Sequence, residues 1–77
     1  MGGKEIPDDC FLHAQKKIGV VSGRKTWSNE DGSQLYQWDS LHGEVEVYSK
    51  RGRHLGVLNV HGVFIKEETK GRRIDVK

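Results

Sequence analysis

The sequence predicts a mainly β domain of the α+β class, a strongly twisted antiparallel sheet of about five strands with a short helix on its N-terminal side. Three observations carry this. Residues 44–48 alternate, with Val45 and Val47 on one side and Glu44, Glu46 and Tyr48 on the other. Turn signals at Asp31-Gly32 and Lys50-Arg51-Gly52-Arg53 cut the chain into short segments that suit hairpins. Finally, 34% hydrophobic and 31% charged residues in a chain of 77 leave enough apolar surface for one covered sheet face and little more. One domain is the most that such a chain can support.

Taken in order, Pro7-Asp8-Asp9 followed by Cys10-Phe11-Leu12-His13-Ala14-Gln15-Lys16-Lys17 reads as a short helix. Its acids stand at the positive end of the helix dipole and its lysines at the negative end. Phe11, Leu12 and Ala14 give it a narrow apolar stripe, and Cys10 reads as a small buried packing residue. Residues 19–23 read as a linker or a short extended piece. From Arg24 the pattern is β: a first strand around Thr26-Trp27, a turn at Asn29-Glu30-Asp31-Gly32, and a second strand over residues 34–38. Residues 44–48 make the third, residues 54–59 the fourth and residues 63–66 the fifth, with Ile74 and Val76 as a last short strand after the Lys70-Gly71 turn.

A single cysteine excludes an internal disulfide and points to a reducing working compartment such as a cytoplasm. There is no apolar run long enough to span a bilayer and no signal-peptide core; Met1-Gly2-Gly3 reads as a start set on a fragment of a longer protein that carries the targeting. The net charge of +2 does not by itself announce a nucleic-acid binder. The distribution of charge says more, since Arg24-Lys25, Lys50-Arg51-Gly52-Arg53-His54 and Lys70-Gly71-Arg72-Arg73 are basic clusters that a sheet can bring into one phosphate-binding patch. Solvated turns at loop tips are the alternative.

Chemistry concentrates in one stretch. Asp39, His42, Glu44 and Glu46 place three carboxylates and a histidine within eight residues. Strand residues two apart lie on one face at about 6.6 Å, so His42, Glu44 and Glu46 are expected along one wall, with Asp39 folding back to His42 if the chain bends between them. RNA cleavage by its own 2′-hydroxyl needs a base, an acid and a cation for the phosphorane. A carboxylate, a histidine and an arginine meet those needs, and carboxylates crowded together are expected to raise one another's pKa. Arg72 and Arg73 are the arginines in question. Solvated strand-face carboxylates in a non-catalytic RNA- or protein-binding β module are the competing reading. Other chemistries fit less well: the four histidines lack metal-site spacing, and neither a nucleophile elbow nor a Gly-rich phosphate loop is present. Tyr36, Tyr48, Trp27 and Trp38 are aromatic surfaces on which bases can stack, although sheet packing competes for the tryptophans.

The run Leu35-Tyr36-Gln37-Trp38-Asp39-Ser40-Leu41-His42-Gly43-Glu44-Val45-Glu46-Val47-Tyr48, with His54-Leu55-Gly56 after it, resembles the ribonuclease domain of colicin E3-type toxins. Arg24-Lys25-Thr26-Trp27 and Arg72-Arg73-Ile74 are similar to that family's basic segments. The resemblance covers residues 24–74 and divides the chain into a divergent lead-in, residues 1–23, and a ribonuclease core, residues 24–77.

The resemblance implies a metal-independent endoribonuclease, without cofactor, that cuts 16S ribosomal RNA at the decoding centre and stops translation. It implies Glu46 as general base, His42 as general acid, Asp39 as the residue that orients the histidine, Arg72 as transition-state cation, and Glu44 as a nearby acid. Arg24, Lys25, Tyr36, Lys50, Arg51, Arg53 and Arg73 are the expected RNA contacts. A monomer paired with an acidic immunity protein is expected, secreted or surface-delivered within a larger protein and acting in the cytoplasm of a target bacterium. The unusual lead-in points to a contact-dependent inhibition or polymorphic toxin system. A tRNA-cleaving ribonuclease keeps the same chemistry with another substrate.

Overall fold

A computed structural model describes residues 3–76; the Met1-Gly2 start and Lys77 lie outside the described residues. Six strands follow one another: β1 (Lys16–Val21), β2 (Arg24–Ser28), β3 (Gln34–Asp39), β4 (Glu44–Ser49), β5 (His54–Leu58) and β6 (Phe64–Glu67). They pair antiparallel in sequence order to form one open meander. The mainly β class read from the sequence therefore holds, with six strands where about five were expected. Among the described residues, no helix is long and apolar enough to cross a membrane.

Register sorts the side chains into two faces. Trp27, Tyr36 and Val47 lie in one cross-strand row, and Trp38 pairs with Val45 beside it. These residues, with Leu58, pack under Cys10 and Leu12 of the N-terminal segment to form the main apolar core. That segment is stitched to the sheet by Lys4 N–H to the Ser40 carbonyl (2.7 Å) and Phe11 N–H to the Val60 carbonyl (2.8 Å). The Trp38 indole N–H also donates to the Lys4 carbonyl (2.8 Å).

The opposite face carries the row Thr26, Gln37 and Glu46, which is polar yet buried. Gln37 satisfies it from within, donating to the Val21 carbonyl (2.8 Å) and to the Thr26 hydroxyl (3.0 Å). A smaller apolar cluster of Leu35, Tyr48 and Ile74 closes one end of this face. Ile74 belongs to a C-terminal strap, residues 69–76, that crosses back over the sheet. The strap is held by Ile74 N–H to the Gly52 carbonyl (2.8 Å), His54 N–H to the Arg72 carbonyl (3.0 Å) and an isolated bridge between Arg53 and Arg73.

Two expectations need correcting. The helix over residues 10–17 is a single 3-10 turn, Phe11–Ala14, and Lys16 and Lys17 already belong to β1. A segment of that length cannot repay helix nucleation with so narrow an apolar stripe, whereas β2 offers a ladder of backbone partners. Of the two readings of residues 19–23, the extended piece is the one the fold takes up to Val21, as the end of the edge strand β1. It bulges between Lys17 and Gly19, where Gly19 takes φ of 113°. Ile74 and Val76 form no strand: one bridge at Arg73 and side-chain packing hold that segment. Cys10 is buried as expected, but it precedes the turn and stands on no helix.

Candidate active site

The β3–β4 connection creates the first half of the site. Asp39 ends β3 and Glu44 begins β4, directly opposite it, so only four residues make the reversal. Gly43 N–H closes the turn on the Asp39 carbonyl (2.8 Å), with Gly43 at φ 69°, a conformation that glycine adopts without strain. The Asp39 carboxylate caps the same turn from inside. One oxygen accepts the backbone N–H groups of Leu41 (3.0 Å) and His42 (3.3 Å), and the other meets His42 Nδ1 at 2.8 Å. His42 therefore sits in the turn and not along the strand wall, and the fold-back to Asp39 takes place through this capping. Its ring is 56% exposed while the Asp39 side chain is 13% exposed. An anchored carboxylate thus holds Nδ1 and leaves Nε2 open to a ligand.

Burial works against ionisation of Asp39, but the hydrogen bonds from the His42 ring and backbone, its charge and the Leu41 N–H outweigh it. Together they hold the carboxyl below its ordinary 3.8. This is the reverse of the mutual elevation expected for crowded carboxylates. The reason is geometric, because the acids of this face look at cations and donors. Glu44 meets Lys66 Nζ of β6 (3.1 Å), and Glu46 meets Arg72 Nη1 of the strap (3.2 Å).

Glu46 forms the second half. Its side chain is 6% exposed, and its Oε1 takes both Arg72 and His54 Nε2, the latter at 2.7 Å. Among the described residues its Oε2 has no hydrogen-bond partner and no buried side-chain oxygen is left unsatisfied, so Oε2 touches solvent. Tyr48, on the same face, is held neutral: burial pushes its phenol above the ordinary 10.0, with Arg72 pulling the other way and Glu46 adding to the rise.

The strap distinguishes the two arginines that the residue pattern, apart from the resemblance, left level. Arg72 reaches Glu46, while Arg73 pairs through its backbone with Arg53. Two of the three basic clusters converge: Arg51, Arg53, Arg72 and Arg73 line one concavity beside Ser49, although Arg53 is also tied to Glu68 (3.0 Å). Arg24 and Lys25 line a separate depression with Trp38 and Ser40, next to the β3–β4 turn. Lys50 faces a different groove, beside Val20 and Asp75.

Tyr36 is a correction. Expected on the RNA-contacting surface, it is buried on the opposite face, its ring edge against Phe11 (centroids 5.1 Å apart) and its hydroxyl on Gln34 (3.0 Å). Alternation puts it in the row of Trp27 and Val47, away from Glu46.

His54 is the residue that sequence reasoning missed. It was read as part of a basic cluster and the start of a strand; it is a buried neighbour of Glu46, 1% exposed. The hairpin supplied a signal, since the four-residue turn of residues 50–53 returns β5 alongside β4 and brings His54 opposite Tyr48.

Asp39, His42 and Glu44 also have metal-ligand spacing, each with a donor atom within 4.8 Å of the others'. Within the fold Asp39 is bonded to His42, and Glu44 is paired with Lys66.

A family model described as Cytotoxic matches residues 6–75, including most of the segment ahead of Arg24. Over 34 residues the chain is 50% identical to Colicin E3 of Escherichia coli, which is 43% of this chain and 6% of that protein. Over 41 residues it is 47% identical to Colicin-E6 of Escherichia coli, covering 52% of this chain and 7% of that one. The chain thus corresponds to a small part of either relative's length. With the family model matching nearly the whole of it, this chain belongs to the Cytotoxic family, as a domain of the colicin E3 type.

Proposed function

We propose that this domain is a toxin ribonuclease that cleaves 16S ribosomal RNA at the decoding centre, by attack of a ribose 2′-oxygen on its own 3′-phosphate. The observation that carries the proposal is a pair of differently set groups, one in the β3–β4 turn and one on the polar face of β4. One is an exposed histidine held from behind by Asp39; the other is a nearly buried carboxylate, Glu46, touching an arginine.

In this reading Glu46 Oε2 takes the 2′-proton as the 2′-oxygen attacks phosphorus. Arg72, 3.2 Å from the other oxygen of Glu46, stabilises the charge that builds on the phosphorane. Protonated His42 delivers the Nε2 proton to the departing 5′-oxygen as the P–O5′ bond breaks, giving a 2′,3′-cyclic phosphate and a 5′-hydroxyl. Asp39 holds the ring in the orientation this transfer needs. Side chains supply the acid, the base and the cation, so the reaction requires no metal, and cleavage in excess EDTA is the check. Glu44 acts indirectly, holding Lys66 at the margin of the site. Arg51, Arg53 and Arg73 bind phosphates next to Arg72, and Arg24 and Lys25 bind them beside the β3–β4 turn.

The same basic surface fits an acidic immunity protein that shields the producing cell, with association fast at low salt. Delivery within a larger secreted or surface protein, including a contact-dependent system, is part of the proposal. So is action in the cytoplasm of the target cell.

Intact 70S ribosomes and total tRNA, incubated separately with the domain and run on denaturing gels, test the substrate. A single short fragment from the 3′ end of the small-subunit RNA, lost in His42→Ala, is the expected result. Cut tRNA with intact ribosomal RNA would overturn the ribosomal assignment, and no cleavage of either would favour the binding-module reading.

A further inference from the structure

We infer that His54 is a positioning residue that pins one oxygen of Glu46 and ties the orientation of that carboxylate to the C-terminal strap. The inference rests on the ribonuclease reading above, and it extends that reading to a residue outside the Asp39–Glu46 segment.

The argument begins with the two ring nitrogens. The backbone N–H of Thr69 points at His54 Nδ1 from 2.8 Å, and a backbone N–H can only donate. Nδ1 is therefore the acceptor and carries no proton in this arrangement. The single ring proton is on Nε2, which donates to Glu46 Oε1 at 2.7 Å. The tautomer is set by the strap, which holds the same residue a second time through the Arg72 carbonyl and His54 N–H (3.0 Å). The edge-to-face contact with Tyr48, centroids 5.3 Å apart, fixes the ring plane.

The consequence lies at Glu46. Oε1 is occupied by His54 and Arg72 together, so the solvent-touching Oε2 is the one oxygen left to accept a proton. A neutral donor suits this task better than a second cation, because it orients the carboxylate without adding another charge to it.

Packing alone does not account for the residue. A histidine 1% exposed beside a carboxylate 6% exposed places two polar groups where an apolar side chain of similar volume would fill the space. Polar pairs buried in this way are weak contributors to stability. The contacts to Thr69 and Arg72 also come from residues that the strap must place correctly for Arg72 to reach the phosphate. His54 thus links the base and the transition-state cation in one assembly.

Steady-state cleavage of ribosomes by wild type, His54→Leu and His54→Gln, with circular dichroism of each, tests this. The glutamine amide can put an N–H where Nε2 stands. His54→Leu is expected to keep its fold and its KM but lose about 10–100-fold in kcat, the usual scale for removing such a supporting contact. His54→Gln is expected to recover most of that loss. Undiminished kcat in His54→Leu, with wild type active, would overturn the positioning role alone; so would equal losses in two well-folded variants. No cleavage by the wild-type domain would overturn the ribonuclease reading, and the positioning role of His54 with it. If His54→Leu does not fold, the 15N shifts of the wild-type imidazole decide. A non-protonated Nδ1 with a protonated Nε2 is expected, and a protonated Nδ1 would sink the inference.

Discussion

The two faces of this sheet solve opposite problems. The face toward the N-terminal segment is apolar across its centre, with Val45 and Val47 fully buried among Trp27, Tyr36 and Leu58. The other face is also well covered at its centre, yet there it buries Thr26, Gln37, Glu46 and His54. One face is sealed by residues 4–14, which contribute mainly Cys10, Leu12 and Phe11. The other is crossed by a strap that contributes two apolar side chains, buried Ile74 and partly buried Val76, and one arginine. A domain this small has little apolar surface to spare. That it keeps a polar row in its second face, every buried side-chain nitrogen and oxygen partnered among the described residues, sets that face apart as the candidate site.

The contrast can be broken in several ways, the largest on the polar face. His42→Ala removes an exposed side chain, so the thermal midpoint should hold while ribosomal RNA cleavage falls about 10²–10⁴-fold, the usual yield of a general acid. A matching loss of fold would mean that the two faces do not divide stability from chemistry. On the apolar face Val47→Ala should do the reverse. Chemical denaturation should show a loss of about 2–3 kcal/mol, with activity per folded molecule unchanged.

Gly52→Ala tests the strap that joins the two. Gly52 has φ of 90°, and a Cβ there would collide with the Ile74 carbonyl. We expect a loss of about 2 kcal/mol from backbone strain together with reduced cleavage, since the displaced strap carries Arg72. Stability lost with activity intact would show that Arg72 is placed independently of Ile74. Trp38→Phe removes the indole bond to the Lys4 carbonyl together with part of the ring's packing on the core, and should cost about 1–2 kcal/mol in unfolding, with cleavage retained.

The smallest effect is one of pH. Folded Asp39 is held below its ordinary 3.8, so its interactions contribute stability above that pH and lose it as pH falls through the folded value. Thermal midpoints of wild type and Asp39→Asn should therefore converge as pH drops below about 4, the unfolded carboxyl value. A gap that stays constant down the pH scale would assign the stabilisation elsewhere.

Much of this was legible in the sequence where the physics is local. The alternation of residues 44–48 put Val45 and Val47 on one face and Glu46 and Tyr48 on the other, as the register has it. Asp39 and His42 met because an aspartate that caps its own turn needs only the next few residues. Tyr36 leaves the expected RNA-contacting surface because strand alternation, whatever its aromatic character, places it with Trp27 and Val47. The helix expected over residues 10–17 shrinks to a 3-10 turn because end charges that fit a helix dipole say nothing of a partner strand waiting at β2.

By itself, then, the sequence determined the meander, its turns, the core valines and the Asp39–His42 pair, all of which depend on residues a few positions apart. Tertiary structure alone decided that Lys16–Val21 becomes an edge strand, that Arg72 and not Arg73 reaches Glu46, and that His54 lies buried against the same carboxylate. Those outcomes depend on where distant segments come to rest. The side-chain period of a strand fixes which face a residue joins, but not which distant residue will lie opposite it.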